Sequence, residues 1–75
     1  MISIFNLLNK IKWDKNLNQK DYKIKYQDRI LNKLIELDFE NIKEINKEFI
    51  IFNDKNIPLY RIKEVRKKGE LIWSR

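Results

Sequence analysis

At 75 residues the chain can fill one hydrophobic core but not two. With 43% hydrophobic and 37% charged residues it has the balance of a folded chain rather than a disordered one. The lack of Cys and His excludes disulfide staples, thiolate chemistry and the side chain that titrates nearest neutrality, while a net charge of +6 favours a polyanionic partner.

The opening run MISIFNLLNKIKW is broken by Ser3, Asn6, Asn9 and Lys10. It is too short and too polar to span a bilayer, and no small-residue cleavage site follows it, so a cytoplasmic protein without membrane attachment is expected. Ile4, Leu7, Leu8 and Ile11 have the spacing of an amphipathic helix, with Ser3 placed to cap it. Trp13 and Asp14 leave that helix, and Lys15 to Asp21 reads as an Asn-rich loop.

From Tyr22 the period becomes two: Tyr22, Ile24, Tyr26 and Asp28 share one face, and Lys23, Lys25, Gln27 and Arg29 the other. Residues 30–33 then supply a turn in which Asn32 tolerates a left-handed conformation. A second strand is expected over Leu34 to Phe39, followed by a single helical turn capped by Asp38. KEFIIF makes the third strand, Asn53 to Asn56 a polar loop, and Ile57 to Arg66 the fourth strand, with Pro58 at an edge or at its start. Lys67-Lys68-Gly69 reads as a tight hairpin loop, and Leu71 to Trp73 closes the sheet. The expected fold is a single α+β domain over residues 1–75, one N-terminal helix packed on an antiparallel sheet of about five strands that can curl towards a small barrel.

Charge is uneven along this plan. Residues 1–33 carry eight Lys or Arg against three Asp, residues 34–56 three Lys against six acids, and residues 57–75 six basic residues against two Glu. Nothing matches HExxH, a Gly-rich phosphate loop or a Cys/His metal set, so no catalytic residue, metal or cofactor is expected. Two basic strips stand out: Lys23, Lys25 and Arg29, and then Arg61, Lys63, Arg66, Lys67 and Lys68, with Tyr22, Tyr26, Tyr60 and Trp73 interleaved. Rings beside cations suit single-stranded nucleic acid, where bases stack and phosphates pair with Lys and Arg. The same residues also suit a small sheet protein with an aromatic core and lysine-coated edges, and the pattern leaves both readings open. Asp28 shares a face with Ile24 and Tyr26, so it needs hydrogen-bond donors, from Arg61 or from a turn backbone.

Three segments, LNKIKWD, DYKIKYQDR and IPLYRIKEVRKKGELIWSR, resemble in order the RNA cyclic group end recognition domain, a small family common in archaea and attached in eukaryotes to RNA-processing modules. The resemblance implies an α+β, non-catalytic module for RNA ends bearing 2′,3′-cyclic or terminal phosphate. The positions matching the family would place Arg29, Arg61, Tyr26 and Arg75 among the RNA or phosphate contacts, and the residues' own chemistry adds Tyr60 together with Lys63, Lys67 and Lys68 from the second basic strip. Asp28 and Asp14 would orient them, and Trp13 and Trp73 would be stacking platforms or core. The family often has His where this chain has Tyr60, and a tyrosine with its ordinary pKa near 10 is a poor general acid at neutral pH. Two alternatives accompany that reading. One is a protein-interaction subunit that docks onto an RNA ligase or phosphoesterase through the acidic middle third; the other is a minimal cyclic-phosphate hydrolase.

Overall fold

A computed structural model describes residues 3–75 as one helix and seven strands in two antiparallel sheets. Helix α1 (Ile4–Trp13) starts where expected: the Ser3 hydroxyl accepts the Asn6 N–H at 3.2 Å. It ends at Asp14, whose N–H still donates to the Lys10 carbonyl. Ile4, Leu8 and Ile11 form its buried stripe.

The larger sheet runs in the order β2 (Leu34–Asp38), β1 (Tyr22–Gln27), β6 (Ile62–Lys67), β7 (Glu70–Ser74). The smaller runs β3 (Ile42–Ile45), β4 (Phe49–Phe52), β5 (Lys55–Pro58). Residues from the helix and both sheets meet in one core that includes Leu8, Ile24, Phe39, Ile50, Ile62 and Val65, all essentially inaccessible. No charged or polar side chain is fully buried among the described residues. The neutral core is what a domain of this size needs, because it has little apolar surface to spare against desolvation costs.

The expected α+β class and antiparallel pairing hold, and the strand count differs for local reasons. Ile57 to Arg66 is two strands rather than one: after Pro58 the chain makes a 3₁₀ turn over Leu59–Arg61 and only then enters β6. The 3₁₀ turn at Phe39–Asn41 is present, but Asp38 makes no side-chain cap bond, and residues 42–45 pair as β3 instead of extending the turn. Asn53 and Asp54, with φ of 48° and 62°, form a two-residue hairpin turn that lets Lys55 and Asn56 join β5. Lys68 and Gly69 do the same between β6 and β7, with φ of 51° and 85°. Neither sheet closes into a barrel.

Strand β6 carries its buried residues, Ile62 and Val65, three positions apart. Strict alternation would put them on opposite faces, and a bulge restores the match. Its register with β1 steps from Lys25↔Glu64 to Tyr26↔Ile62, leaving Lys63 unopposed. The irregularity sits near the end of β1. Pro58 is tolerated because β5 is an edge strand.

Candidate nucleic-acid interface

Pairing redistributes the charges that the sequence had separated. Lys23 on β1 lies 3.5 Å from Glu36 and 3.7 Å from Asp38 of β2. Lys25 is opposed by Glu36 on one side and Glu64 on the other, and Arg66 bonds Glu64 at 2.9 Å. The outer face of the larger sheet is therefore a mixed, largely neutralised surface, and the first basic strip is not a free cationic track.

Positive charge collects at the far end of β1. A cleft of about 410 Å³ opens there, lined by Tyr26, Gln27, Asp28, Arg29 and Ile30 from the end of β1, Lys55, Asn56 and Ile57 from β5, and Arg61 from the 59–61 turn. It contains Arg29, Lys55 and Arg61 against the single acid Asp28. Its volume lies within the range of small-ligand sites.

The loop that bears Arg29 is held from several directions. The Asp28 N–H donates to the Lys33 carbonyl at 2.8 Å, and the Asn32 N–H donates to the Asp28 carbonyl at 2.9 Å. The carboxylate Oδ1 of Asp28 accepts the N–H groups of Ile30 and Leu31 at 2.8 and 2.7 Å. Gln27 closes the base of the loop by donating to Asn32 Oδ1. Asn32, at φ 52°, supplies the left-handed residue. Arg29 and a 91%-exposed Ile30 are thereby presented on a fixed backbone.

The carboxyl of Asp28 is held below its ordinary pKa of 3.8, first by the Leu31 N–H bond and then by the Ile30 bond and the cations Lys55 and Arg61, against a partial desolvation cost. The Tyr26 phenol is pushed above 10.0, by burial first and by the Asp28 charge second. One group thus stays anionic and the other stays protonated across neutral pH.

Of the residues singled out in the sequence, Tyr26, Asp28, Arg29 and Arg61 meet in this cleft. Tyr26 is only 6% accessible, so it contributes a wall and not a stacking face. Tyr60 stands beside the cleft, 65% exposed, with the Arg61 guanidinium 5.6 Å from its ring centroid. Lys63 occupies the bulge, its ammonium 3.5 Å from the Tyr60 carbonyl. Lys67 and Lys68 lie at the hairpin tip, beside Tyr22, at the other end of β1 and about 13 Å from Tyr26 along the strand. Asp14 accepts the Asn16 N–H and serves its own turn.

The two tryptophans separate. Trp73 belongs to the core at 9% accessible, whereas Trp13 is 73% exposed at the helix end with Lys12 near its ring. Arg75 is directed at the backbone: Nε donates to the Ile62 carbonyl and Nη2 to the Leu59 carbonyl, both at 2.8 Å, and the guanidinium lies 5.3 Å from the Trp73 ring. Lys55, Asn56 and Ile30 were missed as site residues. The signal for Lys55 was the Asn53-Asp54 pair, which at hairpin spacing starts β5 at Lys55.

No group of three His, Cys, Asp or Glu that could hold a metal occurs among the described residues, and no described helix is long and apolar enough to cross a membrane. The fold is that of a small basic α+β domain with two antiparallel sheets and a cleft lined by three cations and one acid. The chain belongs to the MJ1316 RNA cyclic group end recognition domain family, whose pattern matches residues 1–75. It is 33% identical over 75 residues to a UPF0248 protein of Metallosphaera sedula, covering 99% of this chain and 94% of that one. It is 35% identical over 72 residues to a UPF0248 protein of Methanococcus maripaludis, covering 92% and 93% of the two chains. A UPF0248 protein of Methanococcus vannielii is 33% identical over 72 residues, covering 92% and 87%. No solved structure matches the chain.

Proposed function

We propose that this protein is a non-catalytic, cytoplasmic RNA-binding module that holds the phosphate-bearing end of an RNA strand in the cleft between β1, β5 and the 59–61 turn. The observation that carries the reading is the convergence of Arg29 with Lys55 and Arg61, from two separate stretches of the sequence, on one cleft with a fixed loop backbone. Guanidinium groups engage phosphate oxygens in pairs, which gives direction as well as charge. Tyr60, exposed beside Arg61, offers a ring for the terminal base or ribose. The family description, RNA cyclic group end recognition, agrees with a terminal phosphate as the occupant.

Holding is favoured over cutting by the proton chemistry of the cleft. General acid–base catalysis works best with a group that titrates near the operating pH. Asp28 is held below 3.8 and Tyr26 above 10.0, so neither exchanges a proton readily at neutrality.

The test is a titration of one oligoribonucleotide ending in 2′,3′-cyclic phosphate, 3′-phosphate or 3′-hydroxyl, at two salt concentrations. Phosphate-bearing ends are expected to bind tighter than the hydroxyl end at both. Equal affinity for all three would leave general RNA binding and remove end recognition.

A further inference from the structure

Where cations and acids meet on the sheets, charge is largely cancelled: Lys23 lies against Glu36 and Asp38, Lys43 against Asp54, and Arg66 against Glu64. Arg29, Lys55 and Arg61, which line the cleft at the end of β1, form no ion pair among the described residues. The one carboxylate beside them is committed to its own turn, because Asp28 Oδ1 accepts both the Ile30 and Leu31 N–H groups. Its pKa is lowered first by the Leu31 bond, with Lys55 and Arg61 as lesser causes. The Tyr26 phenol is pushed above 10.0, by burial first, and adds no charge at neutrality. Three cations thus face one acid, and they arrive from three elements: the 28–33 loop, β5 and the 59–61 turn.

We propose that the cleft selects a terminal phosphomonoester in its doubly charged form ahead of the singly charged cyclic phosphodiester, with Lys55 as the residue that sets the preference. The assignment rests on the end-binding reading of the cleft and concerns which phosphate it takes. A cyclic phosphodiester has two free oxygens sharing one charge, which two guanidinium groups can satisfy. A monoester has three free oxygens and a second charge, and Lys55 is the cation left over for it. The monoester gains that charge near pH 6, whereas the diester keeps a single charge throughout the working range. At a 3′ end the monoester is what hydrolytic opening of a cyclic phosphate leaves: water adds to phosphorus and one ribose oxygen departs as a hydroxyl. The module then receives the product of a ring-opening reaction, not its substrate. A 5′-monophosphate presents the same chemistry, so both ends enter the test.

One oligoribonucleotide is prepared with a 3′-monophosphate, a 5′-monophosphate, a 2′,3′-cyclic phosphate or hydroxyl ends only. At about pH 7.5 a monophosphate end is expected to bind at least about fivefold tighter than the cyclic end, the size of one charge–charge contact at about 4 Å in water. The tighter of the two monophosphates identifies the end that the cleft takes. Lowering the pH to about 5.5 should remove most of that advantage and leave the cyclic end nearly unchanged. The cleft itself does not titrate across that interval, since Asp28 stays ionised, Tyr26 stays protonated and the chain has no His. Lys55→Gln should shrink the ratio of monophosphate to cyclic affinity. Asp28→Asn should widen it, because the amide still accepts the two N–H groups but no longer repels the second charge. Variant spectra matching the natural protein establish that the fold persists, and the pH comparison needs no variant. If hydroxyl ends bind as tightly as every phosphate-bearing end, the end-binding reading itself fails. If phosphate-bearing ends are preferred but the cyclic end matches both monophosphates, or if neither acid nor Lys55→Gln alters the ratio, only the selectivity assigned to the cleft is overturned.

Discussion

Two turns carry the chain from one sheet to the other, and they are twenty residues apart. Phe39–Asn41 links β2 to β3, and Leu59–Arg61 links β5 to β6. Each is a 3₁₀ turn that begins with a buried apolar residue and is followed by a buried Ile, whose N–H donates to that residue's carbonyl. Ile42 and Ile62 have nearly the same backbone, φ −76° and ψ 124° against φ −74° and ψ 121°. What differs is the pair of outward side chains: Glu40 and Asn41 in one, Tyr60 and Arg61 in the other. Only the second turn borders the Asp28 loop and Lys55. One backbone device thus serves as a plain crossover in one place and as a wall of the cleft in the other. The difference lies in two side chains and in the neighbours the topology supplies.

If the two turns are mechanically equivalent, emptying their buried pivots should cost alike. Phe39→Ala is expected to destabilise the protein by about 3–5 kcal/mol and Leu59→Ala by about 2–5 kcal/mol, read from urea unfolding. A Leu59→Ala protein of unchanged stability would show that the second turn is not anchored as the first is. The next largest effect separates them. Arg61→Ala is expected to weaken binding of a phosphate-ended oligomer by about tenfold or more, the scale of a lost hydrogen bond to a charged group, with little change in unfolding. Asn41→Ala should leave binding untouched. The double replacement Glu40→Tyr with Asn41→Arg should add non-specific attraction but no preference for a phosphorylated end, because no counterpart of Lys55 or Asp28 stands beside it.

A third difference is the brace. Arg75 donates to the carbonyls of Leu59 and Ile62, bracketing the second turn, and no guanidinium is bonded to the corresponding carbonyls of the first among the described residues. Arg75→Ala should lower stability by about 1–3 kcal/mol through two lost bonds. The local signature is faster amide exchange at Ile62 without a matching change at Ile42. Arg75→Lys keeps the charge but cannot span both carbonyls, and should recover only part of the protection. Full recovery would make Arg75 a charge contact instead of a brace.

Much of this was legible in the residues, and the exceptions have identifiable causes. Helix α1, strand β1 and the Lys68-Gly69 hairpin follow from periodicity and turn chemistry that depend on neighbours in sequence alone. The 59–61 turn did not, since Ile57 and Leu59 alternate as in a strand, and the bulge at Lys63 that brings Ile62 and Val65 to one face is set by pairing with β1. Arg29 and Arg61 were found through their residue type and their place in the family motifs. Lys55 was missed because residues 53–56 read as one polar loop, although Asn53-Asp54 marks a two-residue hairpin turn that ends at Lys55. Its role comes from β5 folding back against the end of β1. Lys23 shows the converse: basic in sequence, it is neutralised by Glu36 and Asp38 once β2 pairs. Arg75 entered as a phosphate ligand through the family's terminal motif, and its direction is fixed by two carbonyls that only the fold brings near.

The smallest expected effect tests the electrostatic link between the second turn and the loop. Asp28 is held below 3.8, with the Leu31 N–H bond the largest cause and Lys55 and Arg61 lesser ones. A carboxyl whose folded pKa lies below its unfolded value stabilises the folded state above that unfolded value. The contribution is lost as the pH falls through the folded value. For Asp28 the window therefore lies below about pH 4, and acid should loosen the 28–33 loop there, not near neutrality. Removing Arg61 takes away one of the lesser causes and leaves the turn bonds intact. In Arg61→Ala the Asp28 midpoint, followed by carboxyl carbon shifts, should move up towards 3.8 without reaching it, while Asn41→Ala should leave it in place. An unmoved midpoint in both would mean that the 59–61 turn and the Asp28 loop border one cleft without sharing a field. Arg61 would then act on an RNA end independently of the acid beside it.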